Sequence, residues 1–206
     1  MKEIIIYRGV AIEIIQDDMA DSPDKWDNDD AFLVYDHRQF SVKRKGFEPR
    51  EIFDHFQETK QKTYDGYWCF TVNAYIHSGV ALSLGSEYPF NDQWDVSTTG
   101  FALVQRKKGW TWTREKARKV AEAIVAEWNQ YLSGEVYGYN IEASGDSCWG
   151  YYGEYDSEGG CLDAAKDCVD VYIKNQRESH YQQLKTWIRN KVPALYRQPM
   201  KYFLTL

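Results

Sequence analysis

The order of apolar and polar residues along the chain first predicts a β-hairpin. In "EIIIYRGVAIEIIQ", two runs rich in β-branched residues flank Arg8-Gly9, and glycine readily adopts the positive φ angle of a tight turn. Later apolar runs predict strands at residues 31–36, at residues 67–75, after the turn Ser78-Gly79, in "GFALVQ" and in "EVYGYNIEA".

Three segments show the three- and four-residue apolar spacing of helices. The clearest spans residues 113–132, where Thr113 suits the N-cap, Gly134 suits a left-handed C-cap and Ile124 belongs to the buried face. A shorter helix is predicted in "EPREIFDHFQETKQK" and a long one from Cys161 to Asn190.

Strands cluster before and between these helices without a strict βαβ alternation. This order favours an α+β fold with a largely antiparallel sheet, helices packed on one side and a long C-terminal helix. The sequence shows no internal repeat or linker, so we expect one domain over residues 1–206.

The charges are unevenly distributed along the chain. The net charge is −6, but residues 174–206 carry seven basic side chains and one acidic one, whereas residues 1–173 carry 18 basic and 30 acidic ones. An acidic body with a basic C-terminal segment offers two charged faces to partners.

Basic residues also stand beside aromatic ones in "VKRKGF" and "QRKKGW", an arrangement found in proteins that bind single-stranded nucleic acid. However, the pI of about 5.3 lacks the usual basic footprint. Nucleic-acid binding is therefore possible but not favoured, and mimicry of nucleic-acid charge by the acidic body is permitted.

The four cysteines form no CxxC pair and precede no paired histidines, which argues against a structural zinc site. No run of about 18 apolar residues predicts a membrane span, and the first residues do not form a signal peptide. We therefore expect a cytoplasmic protein without a membrane partner.

The most acidic stretch is "DDMADSPDKWDNDD", residues 17–30, with seven aspartates. It lacks the alternating acids, the central glycine and the closing glutamate of an EF-hand. A solvated loop whose aspartates cap turns is favoured over an irregular site for a divalent cation, and no other cofactor is indicated.

Five short stretches place polar groups beside aromatic or small residues: Trp26-Asp27-Asn28, Asp36-His37-Arg38, His77-Ser78-Gly79, "DQWDVS" and "DSCWG". Each is expected at a strand end or in a loop, where functional side chains usually lie. They could form one pocket, or they could be separate turns. The candidate binding residues are Asp27, His37, Arg38, His77, Ser78, Asp95, Asp146, Ser147 and Trp149.

These residues leave two types of catalysis open. His37 and His77 could serve as a base, or bind a metal with Asp27 or Asp95, and His77 could activate the Cys148 thiol. The sequence contains no GxSxG, GxGxxG or GxxxxGK[ST] motif, so a serine hydrolase and the common nucleotide-binding folds are not supported.

Several stretches occur in an order that resembles a family of uncharacterised proteins carried by bacteriophages, prophages and plasmids. They are "SPDKWDNDDAFLVYDHR", "YIHSGVALS", "QWDVSTTGFALV", "NQYLSGEVYGYNIE", "DSCWGYYG" and "WIRNKVPALY", of which "YLSGEVYGY" and "DSCWGYYG" are the most specific. Here Asp29-Asp30 makes the segment after Asn28 more acidic than the family pattern.

The resemblance implies an accessory protein of a mobile element, in the cytoplasm of a bacterial host, that acts by binding. A host or defence-system protein is the implied partner, and inhibition of a defence protein is the implied role. The resemblance brings no catalytic residues, but it favours a shared site for His77, Asp95, Asp146, Ser147 and Trp149.

Two alternatives from other classes remain open. One is a metal-dependent or thiol-dependent hydrolase built on the five stretches. The other is a nucleotide-binding sponge, in which rings stack on a base and His77 or Arg38 holds the phosphate.

Overall fold

A computed structural model describes residues 2–26, 28–76, 79–85, 96–106, 113–193 and 195–197. The fold is α+β with two antiparallel sheets and a long C-terminal helix, which confirms the predicted class. The strands are β1 (Lys2–Tyr7), β2 (Val10–Gln16), β3 (Ala31–His37), β4 (Phe40–Val42), β5 (Thr63–Tyr64), β6 (Tyr67–Ile76), β7 (Val80–Leu84), β8 (Val96–Gln105), β9 (Val136–Ile141) and β10 (Asp146–Tyr152). The helices are a 3-10 turn (Pro23–Lys25), α1 (Pro49–Thr59), α2 (Arg114–Ser133) and α3 (Cys161–Lys191).

The chain forms two compact units, and each unit is discontinuous in sequence. The first unit contains residues 1–15, 138–148 and 156–206, and the second contains residues 16–137 and 149–155. The single domain expected over residues 1–206 stays a prediction.

The first unit is built on the predicted hairpin, which is confirmed. Strands β1 and β2 pair antiparallel around a turn in which Arg8 and Gly9 have φ angles of 53° and 84°, the conformation of a two-residue hairpin turn. The strand order of this sheet is β1-β2-β9-β10. Its buried residues include Ile12, Ile14, Tyr139, Ile141, Cys161, Ala165 and Val169.

Helix α3 is attached to the first unit along its N-terminal half. The Arg8 guanidinium forms a 2.6 Å ion pair with Asp170, and the Tyr139 hydroxyl lies 3.1 Å from the Cys168 sulfur. These contacts and the buried side chains of the first nine α3 residues hold this half of the helix against the sheet.

The second unit contains a sheet of order β4-β3-β8-β6-β5, with β7 paired to β6. Because side chains alternate between the faces of a sheet, the central strands β3, β6 and β8 contribute to two cores. Leu33, Tyr35 and Val72 pack with α2, whereas Phe32 and Val34 pack with Ile52 of α1. The helices of this unit therefore cover both faces of the sheet, so the expected packing of helices on one side is not observed in this unit.

Helix α2 has the predicted ends and the predicted buried face. The Thr113 hydroxyl accepts from the backbone N–H of Lys116, Gly134 has a φ of 75°, and Ile124 is 8% exposed. The Asn129 amide also accepts from the Leu82 N–H at 2.7 Å and donates to its carbonyl at 2.9 Å. This side chain joins α2 to the β7 strand.

Strand β10 was not among the strands predicted from the sequence, which expected "DSCWG" at a strand end or in a loop. The glycines do adopt turn conformations, with φ angles of 76° at Gly145 and 81° at Gly150. However, residues 146–152 form a strand next to β9. Pairing with a neighbouring strand outweighs weak local propensity in such a segment.

Candidate functional site

Four of the predicted binding residues lie outside the described residues: Asp27, His77, Ser78 and Asp95. Whether His77, Asp95 and Asp146 share a pocket or belong to separate turns therefore stays open. The same holds for a Cys148–His77 pair and for metal ligation by Asp27 or Asp95.

His37 and Arg38 lie at the turn between β3 and β4. The Nδ1 atom of His37 accepts from the backbone N–H of Gln39 at 3.3 Å, so this ring stabilises the turn. Arg38 is exposed beside it. These contacts describe a turn and give no evidence of a catalytic base.

Asp146 and Ser147 belong to the first unit and are exposed on β10. As neighbours in a strand they point to opposite faces of the sheet, so their side chains do not converge. Trp149, in the second unit, is 47% exposed. The sequence placed these residues at a strand end or in a loop, and the structure places them within the first four residues of the exposed strand β10.

The acidic stretch forms a loop whose side chains cap its own turns. The Asp17 carboxylate accepts from the Met19 N–H, and the Asn28 amide oxygen accepts from the N–H groups of Asp30 and Ala31, each at 3.2 Å. Within the described ranges, which omit Asp27, no group of three or more His, Cys, Asp or Glu side chains is placed to hold a metal ion.

The second unit contains a cavity of about 310 Å³ that sequence reasoning missed. It lies between residues 23–26 and Asn28, the start of β3, the end of β4 with the two residues after it, and the middle of α2. Trp26 and Asn28 belong to one of the five candidate stretches. Glu127 and Trp128 were predicted only to lie in a helix. No local pattern links these segments, because about one hundred residues separate them.

Glu127 is the half-buried carboxylate of this cavity. Burial raises the pKa of Glu127 above its ordinary value. Burial likewise raises the pKa of Tyr152 to about 12, and Tyr131, two aspartates of the loop and Glu127 contribute to that increase.

The second surface of interest is the exposed C-terminal half of α3. Leu184 is 40% exposed and Trp187 is 55% exposed, while Tyr181 and Ile188 are half-buried. Their three- and four-residue spacing places them on one side of the helix. Tyr181, Leu184, Trp187 and Ile188 are called the α3 stripe.

No family model, no curated protein and no solved structure matches this chain. None of the described helices is both long enough and apolar enough to cross a membrane. Function is therefore inferred from the geometry of the described residues.

Proposed function

We propose that the protein acts by binding another protein through the α3 stripe. The resemblance noted in the sequence gives this proposal its setting: an accessory protein of a mobile element whose partner is a host or defence-system protein. The single observation that carries the proposal is the exposure of two large apolar side chains, Leu184 and Trp187, on one side of α3.

The length of α3 explains why this side is exposed. A helix of 31 residues is about 46 Å long, whereas a strand of six or seven residues spans about 20 Å. The fully buried residues of α3 are Cys161, Ala165 and Val169, all near its start. The sheet is therefore too short to cover the second half of the helix.

The composition of the stripe is typical of a surface that docks into a groove. Helices that bind in apolar grooves present anchors at three- and four-residue spacing, and tryptophan is enriched among the residues that dominate binding energy. Trp187 is the best candidate for the central anchor, because it is the most exposed member of the stripe.

Charge indicates the type of partner. Between residues 174 and 191 the helix carries five basic side chains and one acidic one, so a groove with an acidic rim is complementary to it. The rest of the chain is strongly acidic, which disfavours close approach to nucleic acid. A protein with an acidic groove therefore fits both observations better than DNA or RNA.

The test is capture of a partner from nuclease-treated bacterial lysate by tagged protein, followed by binding assays with the purified partner. Leu184→Asp and Trp187→Asp should abolish capture, because each places a charge in the apolar contact. Gln182→Asp adds the same charge to the same helix away from the stripe and should leave capture unchanged.

Circular dichroism must show equal helix content in all variants. Affinity for the purified partner should also fall between 0.1 and 0.5 M salt, since screening weakens a basic helix on an acidic rim. Capture that disappears after nuclease treatment would identify nucleic acid instead. Equal binding by the Trp187→Asp variant would exclude the stripe as the binding surface.

A further inference from the structure

The cavity of the second unit takes no part in the proposed protein contact. Strand β4 pairs only with the last three residues of β3, Tyr35–His37. The start of β3, residues 31–33, is not paired with β4, and it lines the cavity. Residues 23–26 and Asn28 form one wall and α2 forms another. Its volume of about 310 Å³ lies at the lower end of the range for small-ligand sites.

Aromatic rings form two of the walls, and both are held in place by other rings. Trp26 packs edge-to-face on Tyr152 with centroids 4.9 Å apart, and the Tyr152 hydroxyl donates to the Asp21 carbonyl. Trp128 is 4% exposed and packs edge-to-face on Phe40 at 5.7 Å. These contacts fix the rings before any ligand arrives.

Glu127 is the half-buried acidic side chain of the cavity. It makes no hydrogen bond or ion pair with any residue that the structure describes, and burial is the cause of its raised pKa. A half-buried carboxylate without such a partner is costly in the folded protein. A ligand that supplies N–H donors or a positive charge would remove that cost.

The basic residues that line the cavity are mostly neutralised by acids of the same unit. The Lys25 ammonium lies 2.9 Å from Asp21. Arg44 is ion-paired with Asp29, and its guanidinium lies over the Phe32 ring, 4.0 Å from the centroid. Besides Glu127, the acid Asp24 and the base Lys43 also line the cavity.

The surrounding field is negative, because residues 17–30 contain seven aspartates and one lysine. A negative field draws cations towards this entrance and repels phosphates and carboxylates. The acidic stretch beside the cavity therefore favours a positively charged ligand over a nucleotide.

We propose that this cavity binds an alkylammonium group, with Glu127 accepting its N–H and with Trp26 and Trp128 packing on its methylene groups. Aromatic walls attract organic cations through their ring faces and give apolar contact to an aliphatic stem. The group can come from a free polyamine or from a lysine side chain of a peptide, and both sources present the same chemistry.

The test is calorimetric titration of the full chain with spermidine and, separately, with a lysine derivative blocked at both backbone ends. We expect at least one of the two to bind, while a blocked norleucine, which has no charge, does not. Binding of both would mean that the ammonium group alone is sufficient. Binding of spermidine alone would identify a polyamine site, and binding of the lysine derivative alone would identify a peptide site.

Variants then locate the site. Glu127→Gln should weaken binding by about tenfold or more, the range for loss of a charged hydrogen bond, and Trp26→Ala should weaken it several-fold. Glu122→Gln, which changes an exposed carboxylate on the same helix, should bind like the natural protein. Because Trp26 lies outside the helices and strands, Trp26→Ala keeps the test decisive if the Glu127 variant does not fold.

Three results would overturn the proposal. They are no binding of either compound, equal weakening by Glu122→Gln and Glu127→Gln, and complete displacement of spermidine by magnesium at equal ionic strength. The last result would indicate diffuse attraction to the acidic loop instead of a site.

Discussion

At position 100 the chain leaves no room for more than a hydrogen atom. Gly100 faces Tyr35 across the β3–β8 pair, Tyr35 is fully buried, and a Cβ atom at Gly100 would overlap its ring. The glycine is therefore required by contact with the ring, since its φ angle is not in the left-handed region.

Gly100→Ala should lower the free energy of unfolding by about 1–3 kcal/mol, the usual cost of overpacking a core. Gly79→Ala is the matched control, because a Cβ atom there meets nothing within 4 Å. Urea denaturation of both variants measures the difference. A loss below about 0.5 kcal/mol for Gly100→Ala would mean that the Tyr35 ring moves aside at little cost.

The cysteines should differ in reactivity because burial disfavours the thiolate. Burial raises the pKa of Cys69 to about 12 and that of Cys161 to about 11, the latter with a contribution from nearby Cys148. Cys148 itself is exposed. In iodoacetamide at about pH 8, near the ordinary thiol pKa, mass spectrometry should find Cys148 alkylated first. Rapid labelling of Cys161 would show that the start of α3 opens in solution.

Glu127 should make stability depend on pH in the direction opposite to an ion-paired acid. Its folded-state pKa lies above 4.5, so the folded protein holds this proton more tightly, and stability is lost as pH rises from 4.5 through the folded pKa. Glu127→Gln removes this loss. In thermal melts, the Glu127→Gln variant should have a higher Tm than the natural protein at pH 7, and this difference should shrink towards pH 4.5. A lower Tm of the variant at pH 7 would show that the Glu127 carboxylate has a stabilising partner.

Among the elements, α2 is the one whose face can be tested most directly. Ile124 is 8% exposed within a core shared with the sheet. Ile124→Ala should therefore lower the free energy of unfolding by about 2–5 kcal/mol, as large-to-small core substitutions do. Lys119→Ala, at an exposed position of the same helix, should stay within about 0.5 kcal/mol. Equal effects in denaturation curves would contradict the assigned face.

The carboxylates of the acidic stretch, residues 17–30, are expected to serve its own turns and not to bind a divalent cation. If its carboxylates serve turns, millimolar calcium or magnesium should leave Tm nearly unchanged. A site that binds only the folded state would raise Tm by mass action. A rise of several degrees that EDTA reverses would establish a cation site.

Elements with local signals could be predicted from the sequence. The ends of α2 are set by Thr113 and Gly134, whose capping geometry depends on adjacent residues only, and the Arg8-Gly9 turn likewise carries its own conformational preference. Strand β10 could not be predicted, because its glycines resemble turns until β9 pairs with it. Strand β4, with three residues, is too short to show an alternating pattern.

At the scale of the whole molecule, the α3 stripe and the cavity differ in how far they could be predicted from the sequence, because they depend on tertiary structure to different degrees. The α3 stripe follows from a helical pattern that was visible in the sequence, and only its exposure was unknown. The cavity could not be predicted, because Trp26 and Glu127 meet only after the second unit has folded. The shared site of His77, Asp95 and Asp146 stays a prediction, since two of the three lie outside the described residues.

The strand order β1-β2-β9-β10 also has a consequence for synthesis on the ribosome. The hairpin is complete after residue 16, but β9, its neighbour in the sheet, begins only at Val136. At about 5–20 residues per second, the nascent hairpin waits on the order of ten seconds with an open strand edge. Exposed Ile4 and Ile6 lie on that same hairpin, so during this interval its open edge and apolar side chains favour pairing with another chain.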